Sequence, residues 1–122
     1  MGYIRHDAVI GQVSEFDEVK KAALRKKLRV LRSKIKKANL PPLLRGPVEG
    51  VNGYEFWFFA PDGSKEGWDE SQQADKFRDE FKEIIKSAQY PSLVHIQFGG
   101  DDGETRLVET TDGGVSWRRS QA

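Results

Sequence analysis

The chain has 122 residues, 37% hydrophobic and 32% charged, with twenty basic against nineteen acidic side chains and a net charge of +1. That length fits one domain over residues 1–122 with a core of real size. No apolar run reaches the roughly 20 residues of a membrane span, and the absence of Cys excludes disulfides, thiolate metal sites and a cysteine nucleophile.

The start, "MGYIRHDAVIG", lacks the long apolar core of a signal peptide, and Gly2 lacks the downstream Ser or Thr of a myristoylation signal. "YIRHDAVI" reads as a first strand buried on both faces, with Ile4, Ala8 and Ile10 on one side and Tyr3 and Val9 on the other. Ser14, with Asp17 in the first turn, predicts the cap of a long helix over about residues 15 to 38. Its expected apolar stripe is Phe16, Val19, Ala23, Leu28, Leu31 and Ile35, and Asn39 with Pro41-Pro42 ends it. "LLRGPVEGV" reads as a weak strand. Pro47 cannot donate to a ladder, so this strand belongs at an edge. Asn52-Gly53 is a hairpin signal leading into the aromatic strand "YEFWFFAP".

A loop over residues 62–69 then enters a second helix, capped by Asp69 or Ser71, with Ala74, Phe77, Phe81, Ile84 and Ala88 as its buried stripe. "SLVHIQF" follows as a strand. "TRLVETT" and "VSWRR" then form a hairpin around "DGG". The order predicts an α+β domain. It is a ferredoxin-like βαββαβ antiparallel sheet, with both helices on one face and an added C-terminal β-hairpin.

Charge is unevenly placed. Residues 20–37 hold ten of the twenty basic side chains and no acid, whereas Asp62 to Asp112 carries thirteen acids against six bases. A basic helix of this kind binds phosphates or lies solvated. Lys26, Lys27, Arg29, Lys34 and Lys37 are the candidates for contact with a nucleotide or nucleic acid, and a solvated face is the expectation.

Two patterns suggest catalysis and fail. His6 and His95 fall on neighbouring strands of the expected sheet. The residues two positions on are Ala8 and Gln97, not the hydroxyls of a two-histidine phosphoesterase. His95 alternates with Val94, Ile96 and Phe98, the set expected to face the helices, so the two histidines should point to opposite faces. "TTDGGVSW" resembles the Asp-box of sialidase-type propellers at Thr110, Asp112, Gly114, Ser116 and Trp117, which implies a turn rather than an activity. Asp101, Asp102 and Glu104 lack the ligand pattern of a calcium loop. No catalytic residue, metal or cofactor is expected.

The loop "FFAPDGSKEGWDES" is a connection, a partner surface or an anion site. Its acids oppose a phosphate and suit the N-terminal end of a helix dipole. Trp68 is expected to fold over the helix start and order the loop, so that Ser64 and Lys65 present a binding group. On the aromatic strand, Trp57 and Phe59 lie opposite Tyr54, Phe56 and Phe58. Whichever set faces the helices, the other leaves aromatics on the far side for a partner to cover. Trp57 or Phe59 is expected at that interface, with a homodimer the simplest cover.

"GYIRHDAVI", "NGY…FFAPDGSKEGWDES…AD" and "VHIQFGGD" resemble a group of small proteins encoded by phages of actinobacteria. The resemblance spans the first strand and roughly residues 52 to 101. It implies a phage origin and a place in the cytoplasm of the bacterial host. Proteins of this sort commonly bind a host or defence component. The expectation is a non-catalytic accessory protein that blocks or diverts such a partner through a protein–protein surface. The alternative is nucleotide or nucleic-acid binding by the basic helix 20–37 or the loop 62–69.

Overall fold

A computed structural model describes residues 5–13, 16–65, 67–100 and 103–111. The elements are β1 (His6–Val13), α1 (Glu18–Lys37), β2 (Leu44–Glu49), β3 (Glu55–Phe59), α2 (Asp69–Lys86), β4 (Ser92–Phe98) and β5 (Arg106–Thr110). One antiparallel sheet runs β2-β3-β1-β4-β5. It has a fifth strand outside β4, one more than the four of the expected sheet. β5 is the first strand of the anticipated C-terminal hairpin. The second strand, and with it the Asp-box-like turn beyond Thr110, lies outside the described residues, as do Asp101 and Asp102.

Strand alternation sorts the sheet into two faces. Val9 and Val13 of β1, Glu55, Trp57 and Phe59 of β3, and Leu93 and His95 of β4 are buried on one. Both helices pack there. The ring of Phe81 from α2 meets Phe59 at 5.8 Å, and Arg32 of α1 lies 5.3 Å over Trp57. Gly11 allows the close approach of α2, because a Cβ there would stand 2.7 Å from Ile85. Leu24, Leu28, Leu31 and Ile35 form the true stripe of α1.

The helix starts shift in opposite directions from the sequence reading, later for α1 and earlier for α2. Asp17, not Ser14, caps α1, accepting from the backbone N–H of Val19 at 2.9 Å and of Lys20 at 3.1 Å. Phe16 and Val19 therefore sit at the helix mouth, exposed rather than in the stripe. α2 begins at Asp69 after Trp68, with no side-chain cap. Asp69 and Glu70 instead complement the helix dipole in its first turn.

β2 is the edge strand that Pro47 requires, and its register shifts between Arg45 and Val48. Gly46 sits in that shift at φ +135, where a Cβ would meet the Phe56 carbonyl oxygen at 2.9 Å and the Trp57 ring at 3.0 Å. The turn into β3 uses positive φ at Asn52 and Gly53, as the Asn-Gly pair predicts.

Candidate functional site

Two buried residues of α2 break the apolar pattern. Arg78 and Lys82 fall on the same stripe as Ser71, Ala74, Phe81 and Ile85. Buried charges need partners, and the sheet, the loop after β3 and α2 itself supply them. Arg78 bonds Asp75 at 2.6 Å and stands 3.6 Å from Asp62 and 4.0 Å from Asp7. Lys82 reaches Glu109 at 2.6 Å and His95 Nδ1 at 2.9 Å, and His95 Nε2 lies 2.8 Å from Asp7. Lys86 closes the chain by pairing with Glu109. Of these groups Asp7, Asp62, Asp75, Arg78 and His95 line a polar cleft of about 310 Å³, together with Arg5, Ser71, Asp79 and Gln97.

The bonding fixes the imidazole's state. A Lys ammonium only donates, so Nδ1 accepts from Lys82 and Nε2 carries the proton donated to Asp7. Both ring nitrogens are thereby used inside the protein, and neither is free to take a proton from a substrate. Burial raises the Asp7 pKa, but hydrogen bonds from His95 and Gln97 and the Arg78 charge outweigh it and hold the carboxyl below its ordinary 3.8. Hydrogen bonds from Lys82 and then Lys86 hold Glu109 at about 2, down from 4.5. The network is thus a charged clamp that ties α2 to β1, β4 and β5. Among the described residues no group of three or more His, Asp or Glu is placed to hold a metal ion.

The expected histidine geometry holds in one respect and is reversed in another. His6 and His95 do point to opposite faces. It is His95 that faces the helices, because Leu93 and His95 share the buried parity while Val94, Ile96 and Phe98 face away. His6 packs instead against Phe98 on the open face, with ring centroids 5.2 Å apart.

Trp57 and Phe59 are not an interface. They are 1% and 0% exposed, closed over by Arg32 and Phe81, so no partner reaches them. The aromatics left on the far side are Phe56 and Phe58. Register joins them to other apolar groups in rows across the sheet. Phe58 lies beside Ile10, and Ile10 beside Val94; Ala8 lies beside Ile96, and Ile96 beside Leu107. Ile10 is 51% exposed and Phe58 38%, with Phe98 also exposed at the end of β4. No helix covers this face among the described residues.

The loop after β3 is shaped but open. Ser64 Oγ and its backbone N–H bond the Asp62 carboxylate, so Ser64 is engaged within the loop. Lys65 Nζ lies 5.6 Å over the Trp68 ring. Trp68 is 52% exposed, not folded into the core, and borders a shallow groove with Leu40, Pro41 and Asp62. On α1, Lys26, Lys27, Arg29 and Lys37 are exposed, while Lys34 is drawn to Glu80 of α2 at 3.3 Å.

No protein-family model, curated protein or solved structure matches this chain.

Proposed function

We propose that the chain is a non-catalytic phage accessory protein, a ferredoxin-like frame extended by β5, that binds a host or defence protein in the bacterial cytoplasm. The binding surface is the open face of the sheet. The observation that carries this reading is the continuity of the apolar rows: Phe58, Ile10 and Val94 side by side on three strands, with Ile96 in the next row beside the buried Ala8. Contiguous apolar surface rimmed by polar groups marks a protein contact. Arg45 beside Phe58 and Gln12 beside Phe56 provide such a rim. The engagement of both His95 nitrogens supports a role without acid–base chemistry.

The test is capture from the bacterial host with the wild-type chain and with Phe58→Glu, alongside light scattering of both. A partner, or a second copy, retained by wild type and lost by Phe58→Glu supports the reading. Binding that survives Phe58→Glu and Ile10→Asp in a folded protein removes the surface from the open face.

A further inference from the structure

Five cations descend one side of α1. Lys21, Arg25, Arg29, Arg32 and Lys36 are spaced by four, four, three and four residues, which a helix of 3.6 residues per turn lays in one column. The column faces β2 and the turn beyond it. Lys21 donates to the Gly53 carbonyl at 3.1 Å and Arg32 to the Gly46 carbonyl at 2.5 Å, while Arg25 pairs with the buried Glu55. Carbonyls are neutral partners, so they leave two of these charges uncompensated. Among the described residues the side chains of Arg29 and Lys36 make no hydrogen bond or ion pair. Among the described residues lining the adjoining cavities, Glu49 and Glu55 are the acids that oppose the five cations.

Two cavities open along this column, and Arg32 lines both. One, about 210 Å³, lies between Arg25, Arg29, Pro47, Glu49 and Trp57, with three cations, Arg32 included, against one acid. The other is aliphatic, about 410 Å³, between Ile35, Leu40, Pro42 and Leu44, with Lys36 at its side. Beside the cationic cavity the buried Trp57 Nε1 has no hydrogen-bond partner; Arg25 Nε is also unpaired, but its ion-pair partner Glu55 carries an unpaired acceptor, Oε1. Buried donors in proteins are nearly always satisfied, so the orphan Trp57 N–H in the wall of this cavity points to an absent acceptor.

We propose that the two cavities together bind a phosphate ester carrying a short aliphatic chain. The phosphoryl group sits among Arg25, Arg29 and Arg32 above Trp57, and the chain fills the aliphatic cavity. A phosphate brings three acceptor oxygens to this set of donors, where a carboxylate brings two. The larger cavity falls in the range of roughly 300–1,000 Å³ usual for small-molecule sites. The smaller one suits a charged group alone. Ile35, Leu40, Pro42 and Leu44 offer no aromatic ring on which a nucleobase could stack, so an alkyl or acyl chain is the matching apolar part. The site lies on the helical side of the sheet and does not depend on the open-face reading.

The experiment titrates the full chain with dihexanoyl phosphatidic acid below its micelle concentration. Inorganic phosphate and adenosine monophosphate are run at matched ionic strength, and the assigned Trp57 indole N–H resonance is followed. The expected result is a saturable shift of that resonance, with phosphatidic acid at least about tenfold tighter than inorganic phosphate. Arg29→Ala, at an exposed position, weakens both by about tenfold or more. Pro42→Glu removes the advantage of the chain. No saturable shift, or unchanged affinity in Arg29→Ala, overturns the site. Adenosine monophosphate binding as tightly as phosphatidic acid overturns the aliphatic assignment.

Discussion

His95 Nε2 donates to an Asp7 carboxylate oxygen at 2.8 Å, joining the two strands β4 and β1 beneath α2. The same aspartate stands 4.0 Å from Arg78, so one carboxylate serves both the imidazole and a buried guanidinium. Removing it leaves two polar groups short of an acceptor. Asp7→Ala is therefore expected to destabilise the fold by about 2–4 kcal/mol, because the cost of breaking a buried pair is that of the partner left behind. Asp7→Asn keeps an acceptor and should cost less. Urea unfolding of the two variants checks the order, and equal costs would show that the carboxylate is solvated rather than structural.

Acid should weaken the same clamp. Asp7 and Glu109 both have folded pKa values below their unfolded ones, Glu109 at about 2 against 4.5. Their contribution is fully present above the unfolded values and is lost as pH falls through the folded ones. Stability is therefore expected to drop between about pH 4.5 and pH 2. Lys86 has the opposite sense: the Glu109 hydrogen bond raises it above 10.5, so its contribution is full below that value and fades as pH rises past its folded pKa. Urea midpoints against pH measure both limbs. Glu109→Gln should flatten the acid limb, and an unchanged acid limb in that variant would place the loss elsewhere.

The elements were legible in the sequence because their signals are local. Asn52-Gly53 fixes its own backbone, Pro47 confines its strand to an edge, and leucines at helical spacing define a face. The parity of the strands was not legible. In "YEFWFFAP" both alternating sets are aromatic, so nothing in the pattern says that Trp57 and Phe59 go in while Phe58 stays out. In "SLVHIQF" the apolar set Val94, Ile96 and Phe98 looks like the core, yet it faces outward. The buried place of His95 is secured by Lys82 and Asp7, which come from distant parts of the chain. One signal was present. Arg78 and Lys82 sit at the helical spacing of Ala74, Phe81 and Ile85, and charges on a buried stripe call for partners on the facing strands.

Arg25 and Glu55 give a sharper test of burial. Glu55 is 1% exposed and its Oε1 has no hydrogen-bond partner, so Arg25 is its sole ion-pair partner among the described residues. Arg25→Ala is expected to cost about 2–4 kcal/mol, the lower end reflecting the partial exposure of Arg25. The double variant Arg25→Ala with Glu55→Leu should recover part of that loss. A double variant no more stable than the single one would deny that the stranded carboxylate is the cause.

Opposite parities on β3 predict opposite phenotypes. Trp57→Asp replaces the core ring with a small charged group that leaves most of its volume empty, and even with Arg32 above it should abolish cooperative unfolding at 25 °C, since losing a buried Trp alone costs about 3–5 kcal/mol. Phe58→Glu, one residue on, changes a partly exposed side chain. It should alter stability by no more than about 1 kcal/mol while removing association through the open face. Circular dichroism and light scattering separate the two. A folded Trp57→Asp variant would contradict its burial.

The loop from Asp62 to Trp68 closes the set. Trp68 is half exposed and touches Lys65 rather than the core, so Trp68→Ala should lower stability by only about 0.5–1 kcal/mol, well short of the loss from a buried ring. Asp62 has the larger role, since it receives Ser64 on one side and stands 3.6 Å from the buried Arg78 on the other. Asp62→Ala should therefore cost more than Trp68→Ala and Ser64→Ala, because it loosens the loop and the α2 clamp together. Lys65→Glu with Ser64→Ala tests the loop as a presenting surface. If Lys65 contacts the partner, binding falls while thermal stability stays within about 1 kcal/mol of wild type. If binding is unchanged and Asp62→Ala is the only costly variant, the loop acts by holding Arg78 in place and the contact surface is confined to the open face of the sheet.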